Sequence, residues 1–162
     1  MIREIGQWWF NMKQAAGIFF YSTSTDRYLY LLRSDARNPS WSMPGGGIEK
    51  DETLLAGLTR ECLEEMNVDI AGFKLIPIQK FVNNDFIYHT FYCEVEKEFM
   101  PELNYEHIGY AWVGNDQYPK PLHPGLFSTI NFDLVQDKLK ALKEKRLLEP
   151  FSNSIEYNTY NE

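Results

Sequence analysis

The chain has 162 residues, 44% of them hydrophobic and 15% aromatic, with a formal charge of −7. That length suits one domain with a respectable core, and the acidic balance argues against a general nucleic-acid-binding surface. The opening Met1-Ile2-Arg3-Glu4-Ile5 is charged and has no long apolar run, so neither a signal peptide nor a membrane span is expected.

In chain order, Trp8, Trp9 and Phe10 form a bulky cluster, read as a seal on the core, with stacking on a base as the functional alternative. Strands are expected at residues 13–21 and 28–33, joined by a turn through Ser22 to Asp26. The loop Arg37-Asn38-Pro39-Ser40 follows. Pro44 then stiffens the entry to Gly45, Gly46 and Gly47, which permit close backbone approach. Thr53 is a good N-cap for the next helix, on which Leu54, Leu55, Leu58, Cys62 and Met66 share a core-facing stripe.

Glu61, Glu64 and Glu65 gather on an adjoining face of that helix. Like charges three and four residues apart destabilise a helix by roughly 0.2–0.5 kcal/mol per pair. A cation between them turns the repulsion into a binding site, and hard divalent ions take carboxylates together with substrate phosphates. Gly57 is expected to leave room above Glu61, and Arg60 to pair with Glu64 or Glu52. The plain alternative is a solvated acidic face.

Beyond the helix, residues 73–82 and 86–95 read as a hairpin around Asn83-Asn84-Asp85, and a short strand is expected at residues 110–113. His107 reads as a polar loop residue, because an all-oxygen site suits Mg²⁺ better. A last helix is expected over residues 128–145, with Phe132, Val135, Leu139 and Leu142 buried. One domain over residues 1–149 and a polar, partly mobile tail over 150–162 complete the layout. The two cysteines, Cys62 and Cys93, fall in core positions, which indicates a reducing compartment and the cytoplasm.

The spacing narrows the choice. Gly46, five residues, Glu52, seven residues, then Arg60-Glu61-Cys62-Leu63-Glu64-Glu65 resembles the signature of the Nudix hydrolases. Six fixed letters at roughly 6% usage each give a chance match on the order of 10⁻⁵ per chain. Asn67 replaces the usual glycine past the helix, and asparagine is the next-best residue for a left-handed cap. Cys62 stands where an aliphatic residue is usual and serves as a small hydrophobe.

The resemblance implies an α/β/α sandwich with a mixed β-sheet between helices. It implies metal-dependent cleavage of a phosphoanhydride in a nucleoside diphosphate linked to another group. Mg²⁺, or Mn²⁺ as substitute, would be held by Glu61, Glu64, Glu65 and the Gly46 carbonyl, with Arg60 beside them. Glu106, an acid six residues before Trp112, is similar in place to a further acid of the family, either ligand or base; an ordinary loop glutamate is the alternative. Arg33 and Arg37 are candidates to grip phosphate. No extra motif of the ADP-ribose, diadenosine polyphosphate, coenzyme A or NADH type follows the signature. By elimination a nucleoside triphosphate is placed first, with nucleotide sugars and capped or 5′-triphosphorylated RNA behind. A small-molecule nucleotide is thus the expected partner, and a homodimer is compatible with the reading. A nucleotide-binding module without catalysis would lack a signature acid, and none is missing. A calcium-binding module would show an EF-hand loop, and there is none.

Overall fold

A computed structural model describes residues 12–35 and 37–144. The Trp8-Trp9-Phe10 cluster, Lys145 and the tail from Pro150 lie outside the described residues.

Strand β1 (Lys13–Ser22) organises the sheet. It runs parallel to β6 (Phe86–Val95) over its whole length. At its far end it pairs with the start of β2 (Arg27–Arg33), and at its near end with β4 (Gly45–Ile48). Strand β2 diverges from β1 and takes β3 (Ser40–Ser42) on one side and β7 (His107–Val113) on the other. Strand β5 (Ile76–Asn83) closes the opposite edge against β6. All pairings except β1 with β6 are antiparallel, so the sheet is mixed.

Side chains alternate across a strand, and that periodicity sorts the core into two layers. Ile18, Phe20, Leu29, Leu31, Phe91 and Cys93 face helix α1 (Leu54–Met66). Phe19, Tyr21, Tyr28, Tyr30 and Tyr92 face the other way, under helices α2 (Pro124–Ile130) and α3 (Asp133–Lys143). The result is the expected sandwich, with the buried tyrosines gathered on the side of α2 and α3.

Helix α1 follows its local signals closely. The Ala56 N–H donates to Thr53 Oγ1 at 3.1 Å. Asn67 takes the left-handed conformation, φ 55° and ψ 36°, and its N–H closes the helix on the Leu63 carbonyl at 3.0 Å. Leu58, Cys62 and Met66 are buried, whereas Leu55 is exposed and does not join the stripe.

Other expectations change. Strand β3 is only three residues long and β4 is mostly glycine, so long-range pairing with β2 and β1 makes them strands. The last helix is two helices. His123 and Pro124 start α2 early, the Asn131 side chain donates to the Phe127 carbonyl at 2.8 Å, and Phe132 is extended. Val135 and Leu139 are buried, but Phe132 sits at the break and is exposed.

Gly45 marks the tightest point of the sheet. It has φ +139°, and a Cβ there would strike the Ala16 carbonyl oxygen of β1. Gly45→Ala is therefore expected to lower stability by at least about 1–3 kcal/mol from backbone strain alone. The readout is the urea midpoint, and a midpoint equal to wild type would refute this account of β4.

Candidate active site

The glycine loop, the α1 acids and the start of β7 meet at one end of a cleft of about 1090 Å³. Its floor is the sheet face bearing Ala15 and Tyr88, and α2 walls it with Leu126, Ser128 and Thr129.

Arg60 holds the acidic end together. Its five N–H groups make five bonds: Nε to Glu52 at 3.2 Å, Nη2 to Glu52 at 2.6 Å and to the Gly47 carbonyl at 2.9 Å, and Nη1 to Glu61 at 3.0 Å and Glu64 at 3.4 Å. Both expected partners are engaged, and no guanidinium donor is left over. Glu52 also accepts the Glu49 N–H at 2.8 Å, and Arg60 holds its carboxyl below the usual range. The clamp thus fixes the loop to the helix.

Each acid has a different environment. Glu61 lies over Gly46 so closely that a Cβ there would sit 2.6 Å from its carboxylate. Gly46, not Gly57, is the glycine that makes room for Glu61; a Cβ on Gly57 would meet Ile48 at 2.6 Å and Glu52 at 2.9 Å. Burial pushes the Glu61 carboxyl up, Arg60 pulls it down, and Glu64 and Glu106 push it up again.

Glu65 is only 3% exposed, so it does not face open solvent. Its Oε2 accepts the Gly45 N–H at 3.1 Å. Burial first, and the charges of Glu61 and Glu106 after it, push its carboxyl up to about 8, against the Gly45 bond and Arg33. Glu64, about half exposed, lines no part of the cleft and reaches this group through Arg60.

Glu106 arrives from the far side. The preceding loop is pinned to the end of α1, where the Glu102 N–H donates to the Met66 carbonyl at 2.9 Å and Asn67 Nδ2 to Glu102 at 2.9 Å. The Ser34 N–H then donates to the Glu106 carbonyl at 2.8 Å. Glu65, Glu106 and His107 each bring a donor atom to one point, all within 4.8 Å of one another. His107 is buried in that group rather than lying in a loop as expected. Burial and the Arg33 charge hold its imidazole down to about 4, so it is neutral near pH 7.

This donor set fits a divalent cation. A carboxylate ionised at a buried position needs a compensating charge, and three crowded acids oppose one another until something positive lies between them.

Of the two arginines singled out from sequence, Arg33 lines the cleft, paired across the sheet with His107. Arg37 is exposed and lines no part of it. The sequence alone did not single out the aromatic lining, where Phe81, Phe86, Tyr88 and Phe132 join the cleft with His123. Phe81 and Tyr88 are cross-strand neighbours, so strand alternation carried the signal, but the helix break at Phe132 did not show.

A family model described as the NUDIX domain matches residues 11–131. This chain belongs to the Nudix hydrolase family. A dihydroneopterin triphosphate diphosphatase of Haemophilus influenzae is 33% identical over 122 residues, 64% of this chain and 75% of that protein. Among solved structures, an Escherichia coli dihydroneopterin triphosphate pyrophosphohydrolase shares the fold at TM-score 0.54 and 22% identity, over 64% of this chain and 81% of its own. An ADP-ribose pyrophosphatase of Streptococcus suis shares it at TM-score 0.60 and 20% identity, over 79% and 92%. As a Nudix hydrolase the chain acts on nucleoside diphosphate-linked compounds. No described helix is long and apolar enough to cross a membrane.

Two predictions follow from this geometry. Gly46→Ala displaces the Glu61 carboxylate without touching the core, and a displacement of about 1 Å can cost roughly 10²-fold in rate. kcat/KM should fall by that order with a melting temperature near wild type; full activity would contradict the placement of Glu61. The second concerns pH. The folded state holds the Glu65 proton more tightly than the unfolded chain, so its contribution is complete below pH 4.5 and is lost as pH rises through about 8. The buried histidines, with imidazoles lowered from 6.5 to about 4, act only below pH 6.5. Metal-free protein in EDTA should therefore lose about 1.5–2 kcal/mol between pH 6.5 and 8. Glu65→Gln should abolish that slope in urea titrations.

Proposed function

We propose that this chain hydrolyses the triphosphate of a compound carrying a planar heterocycle, releasing pyrophosphate. A nucleoside triphosphate is the first candidate. The single observation that carries the reading is the lining of the cleft: the Glu65, Glu106 and His107 donors share it with the aromatic side chains of Phe81, Phe86, Tyr88 and Phe132. A triphosphate reaches the donors with its ring against the aromatic surface. Dihydroneopterin triphosphate is the second candidate, favoured by the name of the Haemophilus influenzae relative and by the same flat ring.

Glu61, Glu65 and Glu106, with the Gly46 carbonyl, would hold Mg²⁺ or Mn²⁺, and Glu64 would serve at the outer edge of the acids. When bound, such an ion offsets phosphate charge and makes a water more acidic. The chain's own groups do the rest. Arg33, in the cleft, receives phosphate oxygens, while Arg60 holds Glu61 and Glu64 in place and is a positioning residue. The proton of the attacking water passes to Glu106 or to one of the α1 acids. A cytoplasmic location belongs to the same reading, supported by Cys62 and Cys93, which are free and buried.

The test is a substrate panel of nucleoside triphosphates, an oxidised purine triphosphate, dihydroneopterin triphosphate, ADP-ribose, a nucleotide sugar and capped RNA. Pyrophosphate release from a triphosphate, stopped by EDTA and restored by Mg²⁺ or Mn²⁺, is the expected result; preference for ADP-ribose or RNA would replace the substrate assignment. Glu65→Gln should lower kcat by roughly 10²–10⁴-fold, the range for a group acting at the reacting centre, and Glu64→Gln should lower it through the Arg60 that it shares with Glu61. Wild-type turnover in both variants would count against the acids.

A further inference from the structure

Carboxylates alone explain the site's charge, but they do not explain His107. Its side chain is buried, at 7% residual exposure, and Nδ1 has no hydrogen-bond partner. A buried polar atom left in that state costs roughly 1–3 kcal/mol, so such atoms generally have an occupant to bind. The ring is not stray packing beneath the site. One of its donor atoms stands within 4.8 Å of carboxylate oxygens of both Glu65 and Glu106.

Consecutive strand residues ordinarily face opposite sides of a sheet. Glu106 and His107 escape this because Glu106 precedes the strand and the ladder shifts register between Leu32 and Arg33, opposite His107. Two neighbours in sequence thereby converge on Glu65, which comes from the other wall. Around a six-coordinate cation with ligands at about 2.1 Å, donor atoms lie about 3 Å apart when adjacent and about 4.2 Å when opposite. The observed spread is within about 1 Å of that shell.

We infer that His107 supplies a nitrogen ligand to the cation, and that the site consequently prefers Mn²⁺ over Mg²⁺. This rests on the cation reading proposed above and refines it. Mg²⁺ takes oxygen almost without exception, whereas imidazole strengthens binding of first-row transition ions. An oxygen-only expectation from the signature acids is thereby replaced by a mixed donor set.

The experiment uses full-length protein loaded with Mn²⁺ and electron spin-echo modulation, which detects a directly bound imidazole nitrogen. Wild type should show ¹⁴N modulation that becomes a ¹⁵N pattern on labelling with [¹⁵N]histidine. The chain has 3 histidines, so a variant must say which one is bound. His107→Gln, checked for fold by circular dichroism, should lose the modulation. Its Mn²⁺ affinity should fall by at least the roughly tenfold that even an outer-shell partner costs. Mg²⁺ affinity should fall less, narrowing the preference measured by calorimetry. Mn²⁺ that binds wild type, is lost in Glu65→Gln and shows no histidine nitrogen would overturn the inference and leave the hydrolase reading standing. Modulation that persists in His107→Gln would overturn it as well. A wild-type protein that binds no Mn²⁺ and hydrolyses nothing would overturn both.

Discussion

The contact on which the site depends is the one between Arg60 and the groups around it. A guanidinium presents its donors in a fixed planar fork, so spending all of them fixes the relative positions of everything they touch. Here they reach Glu52 at the loop exit, the Gly47 carbonyl within the loop, and Glu61 and Glu64 on the helix. Pieces that belong to β4, the connecting turn and α1 become one rigid body. The pairing also offsets some of the repulsion that would otherwise splay the acids into solvent. Without it, a helix carrying Glu61, Glu64 and Glu65 would relax by turning those side chains apart.

Within that frame the acids are not equivalent. Glu64 remains half exposed, Glu61 is pressed against Gly46, and Glu65 is buried against the Gly45 N–H. Burial weights them differently: the deeper the carboxylate, the more it gains from a compensating charge. The glycines set these depths. Gly45 allows β4 to lie against the β1 backbone, and Gly46 leaves the volume that Glu61 occupies. The signature is therefore as much a packing pattern as a chemical one.

The divergence of β1 and β2 explains where the cleft lies. Because the two strands pair only at Tyr21 to Ser22, β4 and β3 fill the gap between them, and β7 enters alongside β2. The α1 acids and the β7 residues thus approach from two walls. The rest of the opening is roofed by α2 and edged by the aromatic side chains of β5 and β6. Charged and flat aromatic side chains line the same opening, which is what a phosphorylated heterocycle needs.

The amino-acid sequence by itself determined whatever depends on neighbours a few residues away. Helix α1, its Thr53 and Asn67 caps, the β6 strand and the crowding of three acids follow from short-range pattern, since capping, periodicity and like-charge spacing act within a turn or two. Local pattern misjudged Leu55, the continuity of the last helix and the role of Gly57, because each is decided by a contact from elsewhere in the chain. Tertiary structure alone decided that Glu65 is buried and Glu64 is not, that Arg33 enters the cleft while Arg37 stays outside, and that His107 joins Glu106 and Glu65. Those outcomes turn on desolvation and on strand register across tens of residues, quantities that a linear string of side chains does not contain.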